Sequence, residues 1–210
     1  MEFWESSFIE KQNRWGFEPA DAAIVAKDFF KQQGIKDVLI PGIGYGRNAR
    51  VFQESGIKVT GIEISETAIN LAKSHLGTAI PIHHGSVTDM PFDNKLYGGI
   101  FCYALIHLLD LPERKKFIRD CYNQLEAGGY MIFTAVSVKA SMFGTGKELG
   151  RNWFEIMEGV KMFFYDAEAV EQEFGDFGLT EFTEIDEPVK NMGNKPPLKL
   201  MLIKCRKAAI

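Results

Sequence analysis

The sequence is poor in the residues that staple, anchor or plate metal. Its three cysteines, Cys102, Cys121 and Cys205, stand far apart, and no C-x-x-C pair occurs. That spacing excludes both a disulfide framework and a readable zinc motif, and it fits a reducing, cytoplasmic home. Long hydrophobic runs are missing too: none approaches the roughly 18–20 apolar residues of a membrane span, so no membrane partner is expected. The opening Met1-Glu-Phe-Trp-Glu-Ser-Ser lacks the basic and apolar regions of a signal peptide. Positive charge is scarce as well. Lys and Arg number 24 against 28 Asp and Glu, a net −4, which leaves no footprint for gripping nucleic acid. The four histidines include one adjacent pair, His83-His84, but neighbours in a strand point to opposite faces, and no metal is expected. Repeats and low-complexity segments are absent. At 210 residues, 46% of them hydrophobic, the chain can bury a core as one domain without such staples.

What is there is an alternation. Residues 19–33 place alanines, Phe29 and Phe30 at helical spacing and close on Gly34. Val38-Leu39-Ile40 is the short apolar run of a strand buried on both faces. After the turn Gly42-Ile-Gly44-Tyr-Gly46, a helix is predicted over 47–54 and a strand over 58–64. Ser65 is placed to cap the next helix, where Ala68, Leu71, Ala72 and Leu76 share a face. Residues 79–83 predict a strand that Pro81 confines to a sheet edge. Another strand covers 98–103, and Pro112 opens a helix that Gly128-Gly129 stops before a fifth strand over 130–136. The pattern predicts an α/β fold: a doubly wound, Rossmann-like, mostly parallel sheet with helices on both faces. Residues 138–164 read as a loop-rich insertion and 166–174 as a helix. Residues 179–185 and 198–205 read as antiparallel C-terminal strands, because their linker is too short for a crossover helix.

In such a sheet ligands bind beyond the carboxyl ends of the strands, where strand order reverses. The rule selects residues 41–46, 63–65, 85–89 and 102–107. Glycines at 42, 44 and 46 let a ligand approach the backbone, and Glu63, at the end of the neighbouring strand, is placed to accept ribose hydroxyls. Two registers compete. Counted from Gly42, the dinucleotide fingerprint G-x-G-x-x-G/A fails at Arg47; counted from Gly44, Gly44-Tyr-Gly46-Arg-Asn-Ala49 satisfies it, but two residues further from the strand. We prefer the G-x-G-x-G reading of 42–46, with an NAD-dependent oxidoreductase as the alternative.

The ordered motifs resemble a family. Val38-Leu-Ile-Pro-Gly-Ile-Gly-Tyr-Gly-Arg-Asn-Ala49 is similar to motif I of class I S-adenosylmethionine-dependent methyltransferases. Val59-Thr-Gly-Ile-Glu-Ile-Ser65 resembles their acidic second-strand motif, and Gly85-Ser-Val-Thr-Asp-Met-Pro-Phe92 their adenine-side segment. Tyr97-Gly-Gly-Ile-Phe-Cys-Tyr-Ala-Leu-Ile-His-Leu108 resembles their fourth strand and its loop. Leu125-Glu-Ala-Gly-Gly-Tyr-Met-Ile-Phe133 is similar to the entry to the fifth strand, with Ala127 in place of the usual proline. The resemblance covers about residues 35–136. Pro41, standing where many relatives carry an acidic residue, and the aromatic segments Phe3-Trp4 and Trp15-Gly-Phe-Glu-Pro19 also resemble thiol, thiopurine and tellurite-resistance methyltransferases.

This resemblance implies S-adenosylmethionine as cofactor and S-adenosylhomocysteine as product. It implies that Gly42, Ile43, Gly44 and Gly46 line the methionine part with Asn48 beside it. Glu63 would hold the ribose, Ile64 would pack on the adenine, and the Val87 backbone and Asp89 side chain would meet its edge. Cys102 and Tyr103 would lie under the sulfonium, with Tyr103 and His107 facing the acceptor. His107 is the candidate general base, should the acceptor need one. Trp15, with Trp4 and Phe17, is a candidate lid, and Arg151, within the glycine-rich 138–164, a candidate partner for an acidic substrate. The single domain, 1–210, then divides into a lid segment (1–34), a cofactor-binding core (35–137) and an acceptor side (138–210). The expected function is methyl transfer to a small-molecule acceptor: a thiol, another heteroatom or a metabolite. A non-catalytic nucleotide-binding domain of the same fold remains the other alternative, kept open by Pro41. No Asn/Asp-Pro-Pro-aromatic motif of nucleobase methyltransferases follows the fourth strand, where Cys102-Tyr103-Ala104-Leu105 stands. Oligomeric state is not legible.

Overall fold

The computed structural model describes residues 2–10, 16–188 and 197–209. Its main sheet has seven strands: β1 (Asp37–Pro41), β2 (Lys58–Glu63), β3 (Ile82–His84), β4 (Tyr97–Tyr103), β5 (Leu125–Val136), β9 (Leu179–Glu187) and β10 (Leu198–Arg206). They lie in the order β3-β2-β1-β4-β5-β10-β9. The first five pair in parallel, and β10 runs antiparallel to both β5 and β9. Strand order reverses between β1 and β4, so the crevice expected of an open α/β sheet opens there. β3 occupies the edge that Pro81 demands, with the proline itself just outside the strand.

Side-chain alternation decides which helices cover which face. Val38, Ile40, Phe101, Ile132 and Leu202 pack with α2 (Asp21–Gln32) and α3 (Ala49–Glu54) on one side. Leu39, Ile100, Cys102, Met131, Phe133, Met201 and Ile203 pack with α5 (Leu111–Asn123) and α6 (Ala167–Phe174) on the other. Both strand faces are therefore apolar, as a sheet covered on two sides requires. Helix α4 (Glu66–Leu76) is capped as expected: the Ser65 hydroxyl accepts the Ala68 N–H at 3.0 Å. A further helix, α1 (Glu2–Glu10), lies against α4.

Two sequence expectations are corrected. Helix α5 ends at Asn123, and β5 begins at Leu125 and runs through Gly128-Gly129, so the glycine pair lies within the strand instead of stopping the helix. Within 138–164, after turns over 138–146, lies a three-stranded antiparallel sheet: β6 (Lys147–Gly150), β7 (Trp153–Met157) and β8 (Val160–Phe163). Gly159, which suggested a loop, sits at positive φ in the tight turn between β7 and β8. This sheet buries Phe154 and Met162 against Val136, the last residue of β5, which sets it beyond the carboxyl end of the main sheet.

The first amides of α2 have no intrahelical partner, and residues remote in sequence supply them. Asn48 Oδ1 accepts from Ala20 N–H at 2.9 Å, and the Glu187 carboxylate accepts from Asp21 and Ala22 N–H, both at 3.0 Å. A carboxylate also complements the positive end of the helix. Glu187→Ala is expected to lower stability by about 1–2 kcal/mol. The check is a urea titration in which the midpoint falls while the slope stays unchanged; an unaltered midpoint would show the cap to be energetically idle.

Candidate functional site

The site is built on the turn after β1. Gly42 and Ile43 both donate N–H to the Ile62 carbonyl, at 2.8 and 3.1 Å, which ties the turn to the end of β2. Gly42, Gly44 and Gly46 all have positive φ. At Gly42 a Cβ would collide with Leu105 Cδ1, and at Gly46 it would come within 2.7 Å of Leu76 Cδ1. Both positions therefore need glycine for conformation and for space. Among the described residues, a Cβ on Gly44 would meet only Phe8, at 3.8 Å, which leaves room there above the middle of the turn.

Glu63, at the end of β2, is 6% exposed. Its Oε2 accepts from Gly44 N–H at 2.8 Å, and its Oε1 accepts from Ile64 and Ser65 N–H at 2.9 and 3.0 Å. Three of the roughly four acceptor positions of a carboxylate are thus taken by backbone, leaving one on Oε2 beside the glycine turn. The sequence reading has Glu63 holding both ribose hydroxyls; the geometry leaves a place for one. Desolvation raises the Glu63 pKa against the opposing pull of these three amides.

Helix α1 closes over this corner. Glu5 accepts from the Ser65 hydroxyl at 2.6 Å and from the Thr67 hydroxyl, and Phe8 is buried against Tyr45 and Ala68. Hydrogen bonds from Ser65 and Thr67 lower the Glu5 pKa. The Tyr45 hydroxyl donates to the Gly16 carbonyl at 2.6 Å. No local pattern points to the Glu5 contacts, because the partners lie some sixty residues apart.

The residues expected on the acceptor side stand at the end of β4. Cys102 is buried, and desolvation pushes its thiol pKa far up; Tyr103 is half-buried with its phenol pKa raised for the same reason. The Arg47 guanidinium lies 5.8 Å from the Tyr103 ring centre. His107, in a short 3-10 turn (Ile106–Leu108), is 3% exposed, and burial lowers its pKa to about 3. Its Nδ1 accepts from Val136 N–H at 3.4 Å, so the neutral ring carries its proton on Nε2. A general-base role for His107 finds no support in this geometry: one nitrogen is engaged, the other protonated, and a second proton is strongly disfavoured.

The remaining sequence candidates divide. Ile43 is buried behind the turn, packed against Gly61. Ile64 is half-buried beside Glu63; Val87 is buried in the core and Asp89 is exposed, both in one 3-10 turn beyond β3. The Asn48 side-chain oxygen is committed to the start of α2, which holds it as an anchor. Arg151 is exposed and paired with Asp166 and Glu168 at the start of α6, so it does not stand free for an acidic substrate. Trp15 lies outside the described residues, Trp4 is half-buried, and Phe17 is 49% exposed beside His75. His83 bonds to Asp93 and His84 to the Ile64 carbonyl. Among the described residues no group of three or more His, Cys, Asp or Glu side chains could hold a metal ion, and no helix is long and apolar enough to cross a membrane.

Residues 39–133 match the family described as a methyltransferase domain. The chain is 28% identical over 106 residues to a ubiquinone biosynthesis O-methyltransferase of Nitrosospira multiformis, which covers 49% of this chain and 44% of that protein. The chain thus spans less than half the length of this relative. In fold it is similar to the 1,6-didemethyltoxoflavin-N1-methyltransferase of Burkholderia thailandensis, solved with 1,6-didemethyltoxoflavin and S-adenosylhomocysteine. That likeness has a TM-score of 0.74 at 16% identity and covers 99% of this chain and 86% of that one. The CcbJ methyltransferase of Streptomyces caelestis gives 0.72 at 17% identity, covering 99% and 98%.

Proposed function

We propose that this chain, whose residues 39–133 match a methyltransferase domain, is a class I S-adenosylmethionine-dependent methyltransferase and methylates a small molecule at a heteroatom that needs no base from the protein. The residues present fit the cofactor: Glu63 keeps one acceptor position free beside the glycine turn, and Gly44 leaves space above it. Glu63 would take a ribose hydroxyl, Ile64 would flank the base, and the turn at 42–46 would hold the methionine part. Val87 and Asp89 are assigned the adenine edge. When bound, S-adenosylmethionine supplies an electrophilic methyl group on a sulfonium. Alignment is then the main demand on the protein, since the acceptor must stand in line with the methyl carbon and the departing sulfur.

The observation that carries the acceptor class is the burial of the β4 end, with His107 Nδ1 already bonded. Cys102 and Tyr103 are held protonated by burial, and His107 is neutral with its bare nitrogen already bonded. These groups supply no base near neutral pH. An acceptor already ionised there, a thiol or an acidic phenol, suits such a site; an alcohol or a protonated amine does not. His107 then acts, through its Nε2 proton, as a positioning group. The relative's name, a ubiquinone biosynthesis O-methyltransferase, supports an oxygen acceptor, which between thiol and phenol is the phenol.

The test is calorimetric titration with S-adenosylhomocysteine, with NAD as the comparison, followed by transfer assays on thiols, phenols, alcohols and amines. Saturable binding of S-adenosylhomocysteine and methylation confined to thiols or phenols is expected. Binding without transfer to any acceptor would favour a non-catalytic domain, and binding of NAD alone would favour the Gly44 register.

A further inference from the structure

Ala104 adopts a left-handed backbone, φ +51°, although it is not glycine. Alanine does not choose this conformation, so its surroundings must impose it. They do so from the neighbouring strand. The Ala104 N–H is shared between the Thr134 hydroxyl at 2.9 Å and the Thr134 carbonyl at 3.2 Å.

Thr134 is completely buried in β5, directly across from Tyr103. A hydroxyl at such a position costs desolvation unless it makes a bond, and valine would fill the same volume. The consequence of the turn is visible one residue on. It throws the Leu105 side chain into the space that a Cβ on Gly42 would need, so the loop after β4 forms a wall of the glycine turn after β1. These are the two strands between which the order reverses.

We infer that Thr134 is a positioning residue for cofactor binding: its hydroxyl locks Ala104 in the left-handed turn and thereby seats Leu105 on Gly42. The inference rests on the methyltransferase reading above and goes beyond it, since Thr134 itself lies too deep to touch a ligand.

The experiment compares the unmodified chain with Thr134→Val, Thr134→Ser and Ala104→Val by S-adenosylhomocysteine calorimetry and thermal unfolding. Loss of the hydroxyl bond in Thr134→Val is expected to weaken binding about tenfold in protein that remains folded. Serine keeps the hydroxyl and should restore binding to within about twofold. Ala104→Val asks the same question without touching the core, because a β-branched residue resists the left-handed region; it too should bind about tenfold more weakly. A purely structural Thr134 would lower the melting temperature and leave the affinity of the folded protein unchanged, which overturns the inference. So does a loss that Thr134→Ser fails to restore, or unaltered binding by a folded Ala104→Val. If the unmodified chain binds NAD and no S-adenosylhomocysteine, the methyltransferase reading falls and takes this inference with it; binding by the unmodified chain with unaffected variants sinks the inference alone.

Discussion

Replacing Glu63 with alanine is expected to weaken S-adenosylhomocysteine binding by about a hundredfold or more. A hydrogen bond to a charged acceptor is worth about 1.5–3 kcal/mol, and each 1.4 kcal/mol is a factor of ten. The variant also strands the N–H groups of Gly44, Ile64 and Ser65, which together hold the glycine turn against β2. Glutamine is a poor substitute, because its amide nitrogen would face at least one of those donors. A companion effect is pH dependence. Desolvation places the Glu63 pKa above its ordinary value of 4.5. Ionised Glu63 therefore opposes folding above the raised pKa, and that cost is relieved as pH falls through it. Affinity runs the other way, since only the ionised carboxylate accepts freely. Calorimetry at descending pH should show binding weaken as that pKa is approached from above. The same titration of Glu63→Ala should be nearly flat; an equal slope in both would assign the pH effect to another group.

The largest stability effect is expected at Arg114. Its guanidinium is 3% exposed and donates to Glu173 through Nε and Nη2, at 2.9–3.2 Å, and to the Leu109 carbonyl at 3.0 Å. The Tyr165 hydroxyl donates to the same carboxylate at 2.8 Å, and the Phe163 ring lies 3.9 Å from the guanidinium carbon. One buried pair thus joins α5 to α6 and to the end of β8. Arg114→Met would leave Glu173 buried and charged with only Tyr165 as a side-chain partner, a loss of about 3–5 kcal/mol. In a domain of this size that lowers the melting temperature by about 10 °C or more. Removing both charges, as Arg114→Met with Glu173→Leu, should recover most of the loss, because desolvation of an ion pair nearly cancels its attraction. A double variant no better than the single one would mean that the pair is net stabilising and that packing cannot replace it.

The alternation of apolar runs and helical stripes by itself determined the parallel core, the edge position of β3, the Ser65 cap and the antiparallel pairing at the C-terminal end. Each depends on neighbouring residues: a strand buried on both faces must be apolar throughout, and a cap lies three residues from the amide it satisfies. The placement of Gly42 and Glu63 at one crevice was legible for the same reason, since topology delivers both to adjacent strand ends. Residues 138–164 were misread because their hairpin glycines carry the composition of a loop, and only pairing across β7 reveals strands. The pairing of Arg151 was not legible because its acidic partners belong to the next helix. What only the tertiary structure decided is how each side chain's bonding capacity is used. Burial desolvates His107 and the Val136 amide occupies its Nδ1; three backbone amides leave Glu63 one acceptor position; Thr134 accepts the amide of Ala104 in a turn that alanine alone would not adopt. Such contacts join residues dozens of positions apart, and local pattern carries no trace of them.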